Sequence, residues 1–391
     1  MSSSKYKTIK IFILLDSFHI GGLHKQILNL AKFIDREKFK VVVCAQVSKG
    51  KLKREFEKTG CSIYDLKWKR KFDLKISYRL AKILKKEEPE IVFIPQAQAL
   101  FYYKIARLFW RKQITQIGSF RALNFINGNL NERYEWIDNL FANWLLRSSK
   151  VTVVNSKALK THYKSLERGD KKARIKIIHN GSDFKPKITK SISKLRQEHS
   201  LTKKDFIVIM AARLDPWKDF ETLFEAAQIV IKRDPNIKFI LIGEGILKEK
   251  LKTRIQELKI EKNVFLFGEK RDIHNYYNLC DISLLSTFGE GFSNTILESM
   301  GMGKTVIATD VGGNREVLGD CGYLLPPNSP KILAELILNL RNNKAHLKNL
   351  GKSAKRRVNK NFSIAKCVDS YQSLFSEVID EAPEHDKNKT L

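Results

Sequence analysis

The first half of the chain alternates short apolar runs with amphipathic stretches. Ile9–Leu15, Lys40–Ala45, Ser62–Leu66, Ile91–Ile94, Ile114–Ser119, Val151–Asn155 and Ile175–His179 are apolar runs of strand length. Between them apolar positions recur three and four apart, as at Ile27, Leu30, Ala31 and Ile34, which is one face of a helix. Strand–helix alternation of this length predicts a parallel sheet with helices on both faces. A Lys- and Ser-rich connector, Lys185 to Lys204, interrupts the pattern, which then restarts. Strands are predicted at Phe206–Ala211, Lys238–Ile242, Val264–Phe267, Ile282–Leu285, Thr305–Thr309 and Tyr323–Leu325. The stretch Asp219–Arg233 sets Phe220, Leu223, Phe224, Ala227, Val230 and Ile231 on one helical face. No repeat of solenoid type occurs. The pattern therefore predicts two α/β domains, residues 1–185 and 186–362. A last helix, Ser363 to Ile379, carries Val368, Tyr371, Leu374, Phe375 and Val378 at helical spacing, and a polar tail, 381–391, is expected to fray.

Composition agrees with two folded domains. The chain has 391 residues, 43% of them hydrophobic, and only nine prolines, which excludes a disordered or collagen-like chain. Five scattered cysteines without a C-x-x-C pair point to a reducing compartment and away from a disulfide or metal framework. Lys5, Lys7 and Lys10 precede an apolar run as in a secretion signal, but Asp16 cuts that run after Leu15, so a first strand is the better reading. No apolar stretch approaches the roughly 20 residues that span a bilayer.

Charge changes the picture of partners. Residues 1–185 hold 39 Lys and Arg against 16 Asp and Glu, so +23 of the +30 net charge falls in the first predicted domain. Anionic lipid, a phosphorylated acceptor, nucleic acid and plain solvation all suit such a surface. Two stretches set cations beside aromatics. Residues 49–86 carry Lys67, Lys69, Arg70 and Lys71 around Trp68; residues 101–112 interleave Phe101, Tyr102, Tyr103, Phe109 and Trp110 with Lys104, Arg107, Arg111 and Lys112. Such mixtures suit a headgroup layer, although the aromatics of 101–112 equally suit a helix packed on a sheet. The expectation is a cytoplasmic chain, peripheral on an anionic membrane surface.

Candidate chemistry concentrates in Ser286–Leu318, STFGEGFSNTILESMGMGKTVIATDVGGNREVL. Glu290 stands in a Gly-flanked loop; Glu298, eight positions on, stands inside a helical apolar run. A loop-to-helix junction offers backbone N–H groups and a positive dipole end, which suit a phosphate. A carboxylate one to two turns further in can accept hydrogen bonds from two sugar hydroxyls. The arrangement describes a nucleotide-sugar site, with Gly291, Phe292, Ser293, Asn294 and Thr295 at the junction. TVIATD reads as a buried strand ending at a Gly-Gly turn, which places the glycines at carboxyl ends of parallel strands, where open α/β sheets bind ligands. GMGKT resembles the tail of a phosphate loop, but Glu298 stands where that motif needs glycine.

The stretch also resembles the E-x7-E signature of retaining GT-B glycosyltransferases of family 4, and the resemblance extends over most of the chain. It implies two Rossmann-like domains facing a cleft, a last helix crossing back to the first domain, an acceptor in the first domain and a nucleotide-sugar donor in the second. On this resemblance Glu298 holds ribose hydroxyls and Glu290 the hydroxyls of the transferred sugar, with retention of configuration. AARLDPWKDFETL resembles the family's G-R-L…K pattern, with Ala212 in place of glycine. Arg213 follows a predicted strand and Lys218 precedes a helix; two fixed cations would stabilise the charge that grows on a departing diphosphate. IGEG, with Gly243, and VFLFGEKRDI, with Glu269 and Lys270 as candidates for contact with the base, match two further family blocks. IHNGSDF resembles I-x-N-G-V-D. Gly21 and Gly22, between the first strand and first helix, let a loop approach the diphosphate or acceptor.

One departure stands out. Where the family commonly has His-Gly after the fifth strand, this chain reads IGSFRAL, resembling a G-S-x-R variant found among bacterial polysaccharide enzymes. Arg121 is taken as a site residue there, while the first-domain catalytic group stays open. His19 and His24 read as ordinary polar residues. The chain has no D-x-D pair and no His/Asp cluster at metal spacing, so no metal is expected and Arg213, Lys218 and helix amides must meet the diphosphate charge. No G-x-G-x-x-G motif calls for a dinucleotide cofactor.

These readings converge on a glycosyltransferase moving a sugar from a UDP- or GDP-sugar to a glycan or lipid-linked acceptor, in synthesis of a cell-surface polysaccharide such as lipopolysaccharide. Two alternatives stay open: a GT-B-fold nucleotide-sugar enzyme without a separate acceptor, of the epimerase kind, and a basic nucleic-acid-binding protein. The second leaves the glycine loops unexplained, and no recognition-helix, RNA-binding or zinc pattern supports it, so nucleic acid is not expected as a partner.

Overall fold

A computed structural model describes residues 8–68, 73, 75–121, 135–166, 173–182 and 186–381. Lys69, Arg70 and Lys71 of the basic run, Asp183 and Phe184 of IHNGSDF, and the polar tail after Glu381 lie outside the described residues. The described residues group into two compact units. One takes those up to Gly181 together with those from Ile364 onward; the other is Ser182–Ser363.

The first unit runs β1 (Ile9–Leu15), α1 (Gly22–Phe33), β2 (Phe39–Ala45), α2 (Lys53–Glu57), β3 (Ser62–Asp65), α3 (Lys75–Glu87), β4 (Ile91–Ile94), α4 (Ala97–Phe109), β5 (Thr115–Phe120), α5 (Glu135–Ser148), β6 (Val151–Val154), α6 (Lys157–Ser165) and β7 (Ile175–Ile177). Its seven strands form one parallel sheet in the order β3-β2-β1-β4-β5-β6-β7. Alternation along each strand feeds two cores. Ile11, Ile13 and Leu15 face one side with α1 and α2; Phe12 and Leu14 face the other, under α3 to α6.

The second unit runs α7 (Ile192–Glu198), β8 (Phe206–Ala211), α8 (Phe220–Arg233), β9 (Ile237–Ile242), α9 (Lys248–Glu257), β10 (Val264–Leu266), α10 (Ile273–Leu279), β11 (Ile282–Leu285), α11 (Asn294–Gly301), β12 (Thr305–Thr309), α12 (Asn314–Leu318), β13 (Tyr323–Leu325), α13 (Pro330–Asn342) and α14 (Lys344–Asn361). Its parallel sheet has the order β10-β9-β8-β11-β12-β13. The last element, α15 (Ile364–Asp380), belongs to the first unit, where Val368, Tyr371, Leu374, Phe375 and Val378 are buried against the Ile11 face.

All the strands read from the sequence are present, with ends that differ by at most two residues. The larger of these differences is at β7, and there Ile178 still donates its N–H to Val154 O at 2.8 Å. Inside the stretch read as a connector the chain forms α7. Ser191 caps it, its Oγ accepting the Lys194 N–H at 3.2 Å, and it buries a single apolar residue, Leu195, too few to show a period.

Both strand orders reverse direction once, between β1 and β4 and between β8 and β11. In such sheets the loops leaving the two central strands diverge to opposite faces and open a crevice at their carboxyl ends. The polar groups of the candidate site gather at these points.

Candidate active site

In the second unit, residues 212–219 leave β8 and residues 286–293 leave β11. The two loops are joined by backbone. Asp219 N–H donates to Ser286 O at 3.2 Å, Phe288 N–H to Trp217 O at 2.9 Å, and Lys218 and Thr287 form an isolated antiparallel bridge. Thr287, fully buried, donates its hydroxyl to Trp217 O at 2.8 Å. Across this junction Lys218 Nζ lies 3.0 Å from Glu290 Oε2 and 3.4 Å from Thr287 Oγ1. The two charged side chains are 13% and 24% exposed, so the pair is mostly withdrawn from water but open on one side.

The position of Glu290 is fixed from behind. Gly312 has φ +54°, and a Cβ there would stand 1.7 Å from Glu290 O. Only glycine permits both the conformation and the approach. Gly243, after β9, plays the same part for the other loop: at φ +152° its absent Cβ would lie 1.9 Å from Ala212 O, and its N–H donates to Gly268 O at 3.0 Å.

Arg213 takes a separate partner. Its side chain is 76% exposed and its Nε donates to Asp215 Oδ2 at 2.6 Å, while Asp215 Oδ1 accepts the Trp217 N–H at 3.2 Å. Asp215 is thus a positioning group for the loop and for Arg213.

Gly291 and Ser293 are buried, and Ser293 Oγ caps α11 by accepting the Ile296 N–H at 3.3 Å. Thr295 donates its hydroxyl to Ala211 O at 3.1 Å, and Ser299 Oγ meets Ser283 Oγ at 2.7 Å. These bonds fasten α11 to the ends of β8 and β11, so its amino-terminal turn, with Asn294 and Thr295, faces the crevice with the positive end of its dipole. Glu298 follows one turn on and is half-buried. Burial first, and then the Glu298 charge, push the Tyr277 hydroxyl well above its ordinary value. Phe292 turns its ring into the core, edge-on to Phe362 at 5.2 Å. Glu269 is exposed; Lys270 Nζ lies over the rings of Phe267 (5.8 Å) and Tyr276 (5.6 Å).

The remaining candidates lie in the first unit. Gly21 caps α1 without a side-chain hydrogen bond, and Gly22 is its exposed first residue. Gly21 has an extended backbone that any residue adopts, but a Cβ there would meet His24 Nδ1 at 3.2 Å. His24 is not an ordinary surface residue: it is 8% exposed, and its Nε2 lies 2.7 Å from Asp16 Oδ1. Asp16 follows β1 and its N–H donates to Gln96 Oε1 at 3.1 Å, which ties the loop after β1 to the loop after β4 at the switch point. Burial raises the Asp16 carboxyl, but the hydrogen bond and charge of His24, the Ser17 amide and Gln96 outweigh it and hold the group below its usual range. Arg121 donates Nη1 to Asn180 Oδ1 at 2.9 Å and Nη2 to the Tyr371 hydroxyl, both neutral. Burial pushes that hydroxyl up to about 12, against the opposing charge of Arg121.

Sequence reasoning passed over Asp16, Asp215 and Thr287. The signal for Asp16 was its place, directly after the first strand and five residues before Gly21.

Two family models match: that of glycosyl transferases group 1 over residues 191–357, and that of Glycosyltransferase Family 4 over residues 20–185. The chain belongs to the family 4 type of GT-B glycosyltransferases. Among relatives, this glycosyltransferase is 25% identical to N-acetyl-alpha-D-glucosaminyl L-malate synthase of Bacillus anthracis, over 79% of this chain and 80% of that one. It is 33% identical, over 30% of this chain and 32% of the other, to the Campylobacter jejuni N-acetylgalactosamine-N,N'-diacetylbacillosaminyl-diphospho-undecaprenol 4-alpha-N-acetylgalactosaminyltransferase. It spans about half the length of other curated relatives that it matches, 53% and 54% in two of them. The crystal structure of Anabaena Alr3699/HepE in complex with UDP-glucose shares its fold, with a TM-score of 0.81 at 21% identity over 94% of this chain and 100% of that one. Among the described residues of this glycosyltransferase no three His, Cys, Asp or Glu side chains are placed to hold a metal ion, and no helix is long and apolar enough to cross a membrane.

Proposed function

We propose that this glycosyltransferase moves a sugar from a nucleoside-diphosphate donor, UDP-linked in preference to GDP-linked, to a glycan or lipid-linked acceptor at a membrane surface, in assembly of a surface polysaccharide. The Lys218–Glu290 pair carries the reading. It sets a cation and a carboxylate 3.0 Å apart at the carboxyl ends of β8 and β11, beside the amino-terminal turn of α11. A diphosphate docked on that turn meets the helix dipole and Lys218, with Arg213 supplying a second, solvent-facing cation. Glu298 then accepts hydrogen bonds from ribose hydroxyls, and Glu290 from hydroxyls of the sugar being moved.

As the bond from anomeric carbon to phosphate oxygen breaks, negative charge builds on the departing diphosphate. Fixed cations and helix amides stabilise that state more than the bound donor, which lowers the barrier. These groups do the work without a metal. Retention follows from the family resemblance, with no covalent enzyme intermediate. The UDP-glucose complex of the Anabaena neighbour supports the choice of nucleotide, and the undecaprenol-linked substrate in the name of the Campylobacter relative supports a lipid-linked acceptor. The test is a thermal-shift and turnover panel of nucleoside diphosphates and their sugars. Stabilisation by UDP and slow hydrolysis of one UDP-sugar are expected; no response to any nucleotide sinks the reading.

A further inference from the structure

The first unit exposes most of its large apolar side chains on one face; Ile20 and Phe33, beside and on α1, are exposed elsewhere. Of the twelve large hydrophobic residues exposed among those described, five lie on α3, α4 and α5 or between neighbours there: Tyr78 (50%), Leu108 (68%), Phe109 (60%), Leu140 (61%) and Trp144 (37%). These helices are consecutive, α4 packs against both others, and all three cover the same face of the sheet. Tyr78 and Phe109 meet edge to face, with centroids 5.8 Å apart.

Most cations on this face lack a carboxylate partner. Every exposed residue of α3 is Lys or Tyr: Lys75, Tyr78, Lys82, Lys85 and Lys86. The acidic residue of that helix, Glu87, is turned inward to Lys10 (3.3 Å) and the Tyr64 hydroxyl (2.6 Å). Among the described residues none of the four lysines pairs with a carboxylate. Lys82 and Lys86 lie over the rings of Tyr78 (4.7 Å) and Tyr64 (5.6 Å) instead. Arg107 lies over Trp110 at 5.8 Å and Arg111 is exposed; Lys112 alone in this group meets a carboxylate, Glu88, at 3.2 Å. Some cations elsewhere in the unit do find carboxylates, as where Glu377 of α15 and Glu381 just after it take Lys176 and Arg174.

We propose that the α3–α5 face docks the chain on an anionic lipid bilayer, an inference that rests on the membrane-surface reading above. Exposed Leu, Phe, Tyr and Trp side chains enter the boundary between headgroups and acyl chains, and the unpaired lysines meet lipid phosphates. The surrounding row of lysines argues against a protein partner, since the centres of protein interfaces are poor in Lys. The structure also moves this surface away from Trp68 and most of the 101–112 aromatics. Trp68 packs on the core with its Nε1 buried, and Tyr103 is 2% exposed.

The whole chain, sedimented with phosphatidylglycerol-containing and with pure phosphatidylcholine vesicles, tests this directly. Binding to the anionic vesicles, weakened by salt, is expected. Lys82→Glu, Lys85→Glu and Lys86→Glu together, or Leu108→Ser with Phe109→Ser, lower the partition by about tenfold or more, while melting temperature and UDP binding stay unchanged. Neutralising Lys67, Lys69, Arg70 and Lys71 has the smaller effect. No binding, equal binding to neutral vesicles, or full binding by both variants overturns the proposal. Sugar transfer without vesicle binding overturns this face and leaves the transferase reading; vesicle binding without any nucleotide response does the reverse.

Discussion

Lys218 Nζ and Glu290 Oε2 stand 3.0 Å apart, although the residues come from different loops and are 72 positions apart in sequence. Removing either side chain strands a mostly buried charge. Glu290→Ala is expected to cost about 1–3 kcal/mol of stability and to lower turnover by roughly 10²–10³-fold. Glu290→Gln should keep more of the fold than of the activity. Chemical denaturation beside initial-rate kinetics checks this, and unchanged turnover in both variants removes Glu290 from the site.

Glu298 acts on binding. A charged hydrogen bond to a hydroxyl contributes about 1.5–3 kcal/mol, so Glu298→Ala should weaken UDP affinity by one to two orders of magnitude. Calorimetric titration with UDP measures it; an unaltered dissociation constant excludes contact with the ribose.

Gly312 tests the backbone behind the pair. A methyl group 1.7 Å from Glu290 O, at a φ of +54°, forces the loop to shift. Gly312→Ala should lower both melting temperature and turnover, whereas Gly313→Ala, without that clash, should spare turnover. Equal activity of the two variants would show that the Glu290 loop tolerates displacement.

Asp16 predicts an acid limb of stability. Its carboxyl is held below the ordinary value of 3.8 in the folded chain. The stabilisation is therefore fully present above that value and fades as pH falls through the lower, folded value. Asp16→Asn should be less stable near neutrality and lose less on acidification. Parallel unfolding curves for the two proteins at every pH would remove Asp16 from the acid response.

Metal independence is checked with a chelator. Activity should survive excess EDTA; loss restored by Mg²⁺ or Mn²⁺ would mean that cations from the chain do not suffice for the diphosphate.

Much of the fold was legible because strands buried on both faces write themselves as continuous apolar runs, as at Phe206–Ala211 and Ile282–Leu285. Glu290 and Glu298 were legible because one loop and one helix hold both, so spacing along the chain carries the information. The Asp16–Gln96 contact is not of that kind. It exists because β4 pairs beside β1, and strand order is not written in local periodicity. Arg121 is a sharper case, since its partner Tyr371 lies 250 residues on. Helix α7, with one buried apolar residue, shows that a cap and a single anchor can make an element below the reach of any period.

The return of α15 has a consequence for the order of assembly. Phe93 of β4 packs against Tyr371 and Phe375 at 5.8 and 6.3 Å, and Phe39 meets Phe375 at 6.1 Å. Part of one side of the sheet that is synthesised first, the part that α1 and α2 leave open, thus stays uncovered until α15 has been made, by which point the second unit already has all its strands. The earlier-made half of this protein is the one completed last, and nascent chains halted before Ile364 expose Phe39 and Phe93 to chaperones or to one another.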